Sequence, residues 1–291
     1  MNVRPFSDED ADAVAALYAA DEERFYGRPS HTQGSDILMH KHFWKEAWVY
    51  EEDGRLAAAA VYGVHGDSAN VHGVVGDKGR GLGTEILERG EEFARANDVA
   101  KIHAGAPEPD AAARALFESR GYREVRRFWE MAIDLKEEPV VPAPPDGLVL
   151  DELHDGEQHA FYDALNDAFQ DHWEWHPMPF DQWVEIRRDQ HHDEHGPIWF
   201  VIRDRDELAA VTRNDAKANG GYVGAIGVRP AWRGKGLAKV LLYRTFLEFW
   251  RRGTPRVTLD VDTQNETGAT HLYERVGMHV DMCGVAFEKP A

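Results

Sequence analysis

Val228-Arg229-Pro230-Ala231-Trp232-Arg233-Gly234-Lys235-Gly236-Leu237-Ala238 is the stretch that decides the fold. It continues an apolar strand, Tyr222 to Val228, and opens a helix whose apolar positions include Leu241 and Leu242. Glycines at such a turn let consecutive backbone amides face one point, and the helix N-terminus adds partial positive charge, together a receptor for a diphosphate. Arg233 and Lys235 place formal charge nearby. The spacing is not the Walker pattern, which closes on Gly-Lys-Ser/Thr, nor the dinucleotide fingerprint, which needs three glycines and an acid after the next strand. On this segment alone a tight turn with no ligand stays open.

The stretch has a twin. At an offset of 155 residues Lys78-Gly79-Arg80-Gly81-Leu82-Gly83 aligns with Arg233-Gly234-Lys235-Gly236-Leu237-Ala238, and Ile86 and Leu87 fall on Leu241 and Leu242. Downstream, Leu116-Phe117-Glu118-Ser119-Arg120-Gly121-Tyr122 matches Leu272-Tyr273-Glu274-Arg275-Val276-Gly277-Met278, and upstream Trp48-Val49 matches Trp199-Phe200. Three matches in one order mark a duplication. Its seam lies at Lys136 to Gly147, where Pro139, Pro142, Pro144 and Pro145 suit an extended linker. The expected domains are therefore 1–135, a linker over 136–147, and 148–291, each long enough for its own core.

Each half reads as a short strand, amphipathic helices, a hairpin, the strand-turn-helix unit and a closing strand-helix-strand. Val14, Leu17 and Tyr18, and then Phe161, Leu165 and Phe169, have helical spacing. Hairpins are expected at Asp53-Gly54 and at Asp204 to Asp206, and a last strand and helix at Val257 to Val261 and Thr267 to Arg275. The fold class is α/β with a mixed α+β sheet in two tandem domains.

Composition narrows the function. With 52 acidic against 33 basic residues and a net charge of −19, the chain repels phosphate backbones, so nucleic acid is not an expected partner. No apolar run approaches the ~20 residues that span a bilayer, and Met1 to Asp10 has no apolar signal region, so a cytoplasmic protein without a membrane partner is expected. The single cysteine, Cys283, excludes an internal disulfide and a multi-cysteine zinc site. His191-His192-Asp193-Glu194-His195 has ligand types but no further ligand at a supporting spacing; it reads as a solvated helix end, and no metal is expected.

Arg233, Gly236 and Ala238 meet the pattern Gln/Arg-x-x-Gly-x-Gly/Ala, and Leu259-Asp260-Val261-Asp262-Thr263-Gln264-Asn265 with Ala269, Leu272-Tyr273-Glu274 and Gly277-Met278 forms a second block in order. Both blocks resemble the GNAT acetyltransferase superfamily, and the duplication resembles its tandem-domain, mycothiol synthase-type branch. The resemblance is strong over residues 198–288 and looser over residues 1–135. It implies two tandem GNAT-like domains, each with a central splayed sheet flanked by helices. It also implies acetyl-CoA as co-substrate and an N-acetyltransferase acting on a primary amine of a small molecule. A protein-directed or mycothiol synthase-type enzyme, or a non-catalytic acyl-CoA sensor, stays open, as does a monomer or a homodimer.

The resemblance also assigns roles. Coenzyme A lies where the strand ending at Val228 splays from the strand ending at Val261, with the amide of Ile226 or Val228 polarising the thioester carbonyl. The diphosphate sits over Arg233, Gly234, Lys235, Gly236, Leu237 and Ala238, and Asn265 holds the pantetheine arm or caps a helix. Tyr273, eight residues on and ~12 Å along a continuous helix, protonates the departing thiolate. A glutamate on the pyrophosphate-side strand is the base in mycothiol synthase-like enzymes, but Gly220 to Ile226 contains no acid. Asp171-His172-Trp173-Glu174-Trp175-His176 offers His172 as a candidate base in an aromatic amine pocket, or forms a lid packed on the core. Asp260 and Asp262 are weaker candidates. In the first half Phe117 stands at the tyrosine position and Pro109 at the asparagine position, so that half is expected to bind coenzyme A weakly or not at all and to wall the acceptor site.

Overall fold

A computed structural model describes residues 1–27, 32–190, 198–217, 220–265 and 268–291. The histidine-rich segment His191 to His195, and Thr267, lie outside the described residues. In chain order the elements are β1 (Asn2–Pro5), α1 (Ala11–Tyr26), α2 (Gly34–Met39), β2 (Glu46–Glu52), β3 (Arg55–His65), β4 (Ser68–Val75), α3 (Leu82–Ala96), β5 (Lys101–Pro107), α4 (Ala111–Ser119) and β6 (Arg123–Asp134). The order then repeats as β7 (Leu148–Glu152), α5 (Gln158–Phe169), α6 (Phe180–Gln190), β8 (Ile198–Asp204), β9 (Glu207–Lys217), β10 (Gly220–Val228), α7 (Leu237–Arg251), β11 (Arg256–Asp262), α8 (Ala269–Arg275) and β12 (His279–Pro290). Residues 136–147 contain neither helix nor strand.

Two compact units emerge, one of Met1–Trp129 with Asp262–Gln264 and Met282–Ala291, the other of Glu130–Val261 with Asn265–Asp281. Each is built on a mixed sheet. In the first the neighbours run β1-β2-β3-β4-β5-β12, and in the second β11-β10-β9-β8-β7, while β6 is divided between the units after Trp129. The parallel pairs are β4 with β5 and β10 with β11. The final strand of the chain thus completes the first unit: Gly284 pairs with Pro107 and the register holds to Pro290 opposite Lys101. Tyr26 donates its phenolic proton to the Cys283 carbonyl at 2.9 Å, and Lys289 pairs with Glu91 at 3.0 Å, pinning the strand in place.

Local chemistry explains the turns. Asp53 and Gly54 both adopt positive φ, 50° and 75°, the twist that a two-residue hairpin between β2 and β3 requires. α7 buries Leu237, Val240, Leu241, Leu242, Phe246 and Phe249, worth on the order of 10 kcal/mol in removed apolar surface before chain entropy is set against it. In the first unit α3 does the same with Leu82, Ile86, Leu87 and Phe93.

Each unit also carries an arginine clamp at the start of its first helical segment. Arg4 on β1 holds Asp10 and Glu51, each at 2.7 Å, and Arg203 on β8 holds Asp151 at 2.9 Å and Glu157 at 2.8 Å. Among the described residues no helix is long and apolar enough to cross a membrane.

Candidate functional site

The two strands expected to part do so. Among the described residues β10 pairs with β11 only at Gly221 opposite Val257 and Tyr222 opposite Thr258, and the register ends there. A bulge assists the divergence, because Val223 lies opposite Asn214 and Ala225 opposite Arg213, leaving Gly224 as the extra residue. Arg229 donates its backbone N–H to Ala209 on β9 at 3.0 Å. By the alternation of an extended strand, the N–H groups of Ile226 and Val228 therefore point to the other edge, which β11 has vacated. Two unspent donors on one edge are what a thioester carbonyl and an amide-bearing arm need.

Beyond Val228 the chain turns through Gly234 and Gly236, at φ 78° and 79°, before α7 begins at Leu237. Side chains are strained in this left-handed region, so glycine is required here, and no atom lies within 4 Å of where a Cβ would stand on either residue. The nest of amides is thus open on its outer side, as a phosphate receptor must be.

The two cations near it behave differently. The Arg233 guanidinium is turned back, donating to Asp171 at 2.8 Å, to the Ala168 carbonyl at 3.1 Å and to the Val228 carbonyl at 3.3 Å. Arg233 ties the turn to the end of α5. Lys235 is exposed, with no ion pair among the described residues.

Tyr273 is buried on α8, and burial alone raises its phenol well above the usual value, so it carries its proton throughout the neutral range. Asn265 does not cap α8, whose N-cap is Gly268. Because the helix begins only at Ala269, the helical rise to Tyr273 is ~6 Å, half of what a continuous helix from Asn265 would give. Asn265 instead approaches His172, Nδ2 to Nε2, at 3.5 Å. The His172 ring stacks at 4.2 Å on Phe169, whose other neighbour is Trp175 at 5.0 Å. The indole N–H of Trp175 is buried with no hydrogen-bond partner among the described residues. Two residues singled out from separate sequence motifs, His172 and Asn265, are thus in one place. Arg213, Asp215 and Tyr222, which cluster on the same sheet, were not singled out by any motif; their signal was only a polar strand, β9, beside a glycine-rich one.

The first unit repeats the construction. β4 and β5 pair from Ser68 opposite Lys101 to Val71 opposite Ala104 and then separate. A cavity of about 280 Å³ opens there, lined by Lys78, Gly81, Thr84, Ala104, Asp110 and Phe117 among others. The weak or absent coenzyme A binding expected of this half therefore meets a formed cavity, although Phe117 packs its ring on Phe287 at 5.0 Å and supplies no proton.

Comparison with known proteins agrees with this geometry. The model of the acetyltransferase (GNAT) family matches residues 12–122 and 158–278. The chain is 28% identical to a mycothiol acetyltransferase of Thermobifida fusca, covering 93% of this chain and 88% of that protein. It is 29% identical to one of Thermobispora bispora, covering 92% of each. Among solved structures, a GCN5-related N-acetyltransferase from Sphaerobacter thermophilus superimposes with a TM-score of 0.83 at 30% identity, over 99% of this chain and 95% of that one. A tandem GNAT protein from the clavulanic acid biosynthesis pathway shares the fold with a TM-score of 0.78 at 18% identity, over 99% and 98%.

Proposed function

The chain belongs to the GNAT acetyltransferase family, and from that premise we propose that its second unit moves the acetyl group of acetyl-CoA onto a primary amine of a small molecule by direct attack, in the cytoplasm. The observation that carries this reading is the divergence of β10 from β11 immediately before the open Gly234–Gly236 nest. The nest binds the diphosphate, assisted by Lys235, while Arg233 holds the turn in shape. The N–H of Ile226 or Val228 polarises the thioester carbonyl, Asn265 holds the pantetheine arm, and His172 lines the acceptor side. As the amine nitrogen bonds to the carbonyl carbon and the carbon–sulfur bond breaks, Tyr273 supplies a proton to the sulfur. Burial keeps the phenol protonated, so the proton is present to be given.

A thiol-release assay with acetyl-CoA and a panel of primary amines tests the reading, with Tyr273→Phe as the control. Turnover should fall about 100-fold or more in that variant. A loss under about threefold removes the tyrosine from the acid role. A mycothiol-type acceptor is a narrower second reading, favoured by the relatives named above and opposed by the absence of an acid on β10; it belongs in the same panel.

A further inference from the structure

One hydrogen bond crosses the gap where β10 and β11 part. Tyr222, the last residue of β10 in register with β11, donates its phenolic proton to Oδ2 of Asp260 at 2.8 Å. Asp260 lies two residues past Thr258, beyond the last paired position, and is exposed. Gly221 lies against Phe249 of α7, so the alternation of the strand turns Tyr222 and its bond to the opposite face of the sheet.

The neighbourhood on that face is charged. On β9, Arg213 pairs with Asp215, both acting on Tyr222, and the Lys217 ammonium stands 3.4 Å from the centre of the Tyr222 ring. At the bulge, a Cβ on Gly224 would come within 2.4 Å of the Arg213 guanidinium and 2.7 Å of the Asp215 carboxylate, so this ion pair lies directly against the backbone there. Tyr222, which holds Asp260, lies four residues before Ile226 on β10, with the Gly224 bulge between them.

Burial, reinforced by the negative charge of Asp260, raises the Tyr222 phenol well above its usual value. The direction of the bond is therefore set: the tyrosine donates and the carboxylate oxygen accepts. Oδ1 of Asp260 makes no hydrogen bond among the described residues, whereas Oδ2 is held in place by the phenol.

We propose that Asp260, oriented by Tyr222, binds the ammonium of the acceptor and takes its proton before attack. This rests on the acetyl-transfer reading above and gives it the proton acceptor that β10 lacks. The chemistry requires one, since an alkylammonium with pKa near 10.4 is only about one part in 2,500 neutral at pH 7. The N–H bond breaks, its electron pair becomes the nucleophile, and the proton passes to Oδ1 and then to water. Tyr222 is a positioning residue, because it touches the carboxylate and not the amine. The acceptor class follows: primary alkylamines depend on Asp260, whereas an arylamine already neutral at pH 7 does not.

The test measures kcat/KM for the full chain, Asp260→Asn and Tyr222→Phe between pH 7 and pH 10, with one alkylamine and one arylamine that the wild type acetylates. Asp260→Asn should lose about 100-fold on the alkylamine at pH 7. That loss should shrink below about tenfold at pH 10 as free amine accumulates, and should stay under about threefold on the arylamine at every pH. The KM for acetyl-CoA should change by less than about twofold, since Asp260 is not assigned to its binding. Tyr222→Phe should show the same pattern at about one-tenth the size. A loss on the alkylamine under about threefold at pH 7, or an equal loss at pH 7 and pH 10, overturns the proposal. Because Asp260 is exposed, Asp260→Asn is expected to melt with the wild type and decides the matter even where Tyr222→Phe is destabilised. Wild-type protein that releases no thiol with any amine defeats the parent reading instead, and this proposal with it.

Discussion

Gly79 and Gly81 in the first unit hold φ at 85° and 83°, and Gly234 and Gly236 in the second hold 78° and 79°; each pair opens a 15-residue helix beside a splayed pair of parallel strands. Around these matching backbones the charges differ. Lys78 is bonded to Asp110 and stands 3.7 Å from Asp21, and Arg80 is bonded to Glu52. Lys235, which occupies the place of Arg80, has no ion pair among the described residues. The first cradle is neutralised from within, while the second keeps one cation for a ligand. Backbone shape in such a turn is set by glycine and by the strand and helix it joins, so it outlasts changes in the side chains around it. Charge does not have that protection.

The comparison is broken most sharply at the glycines. Gly236→Val is expected to weaken acetyl-CoA binding about 100-fold or more, because a β-branched residue at that φ distorts the nest. Gly81→Val should leave turnover within about threefold; calorimetric titration and initial rates check both, and the reverse ranking would exchange the roles of the units.

Acid stability comes next in size. Arg4 holds the Asp10 carboxyl down to about 2. A lowered folded pKa stabilises above the unfolded value near 4 and loses that contribution as pH falls toward 2, here about 1–2 kcal/mol. Asp10→Asn should remove the part of the acid transition between pH 4 and pH 2. In the second unit Arg203 lowers the Glu157 carboxyl in the same direction, and Glu157→Gln sharpens the comparison when each unit is followed by its own tryptophans.

Lys235→Ala should weaken acetyl-CoA binding about fivefold at low salt and less at high salt, while Arg80→Ala stays within about twofold. Smallest of all, Phe117→Tyr should restore no measurable turnover to a Tyr273→Phe background. Its ring packs between Phe287 and Tyr122, at 5.0 and 6.0 Å, and a hydroxyl alone does not rebuild an acid site.

Much of this architecture was legible in the residues. Glycine pairs, hairpin dipeptides such as Asp53-Gly54, and helical spacing at Val14 or Phe161 act locally, and the structure has them where they were expected. The duplication was legible because it repeats those local signals. What could not be read was partnership. β6 and β12 are both 12-residue strands at matching places in the two repeats, and neither carries a mark of which sheet it completes. The direction of the Arg233 side chain depends on Asp171, 62 residues away, and the Tyr222–Asp260 bond joins residues 38 apart in the chain. A charge in a motif reads as available for a ligand until its internal partner is known.

The late strand β12 also bears on how the chain is made. Residues 282–291 leave the ribosome only after the whole second unit, at ~5–20 residues per second, so the first sheet waits many seconds with the open edge of β5 exposed. A nascent chain of this design needs that edge shielded, by a chaperone or by brief docking of another segment.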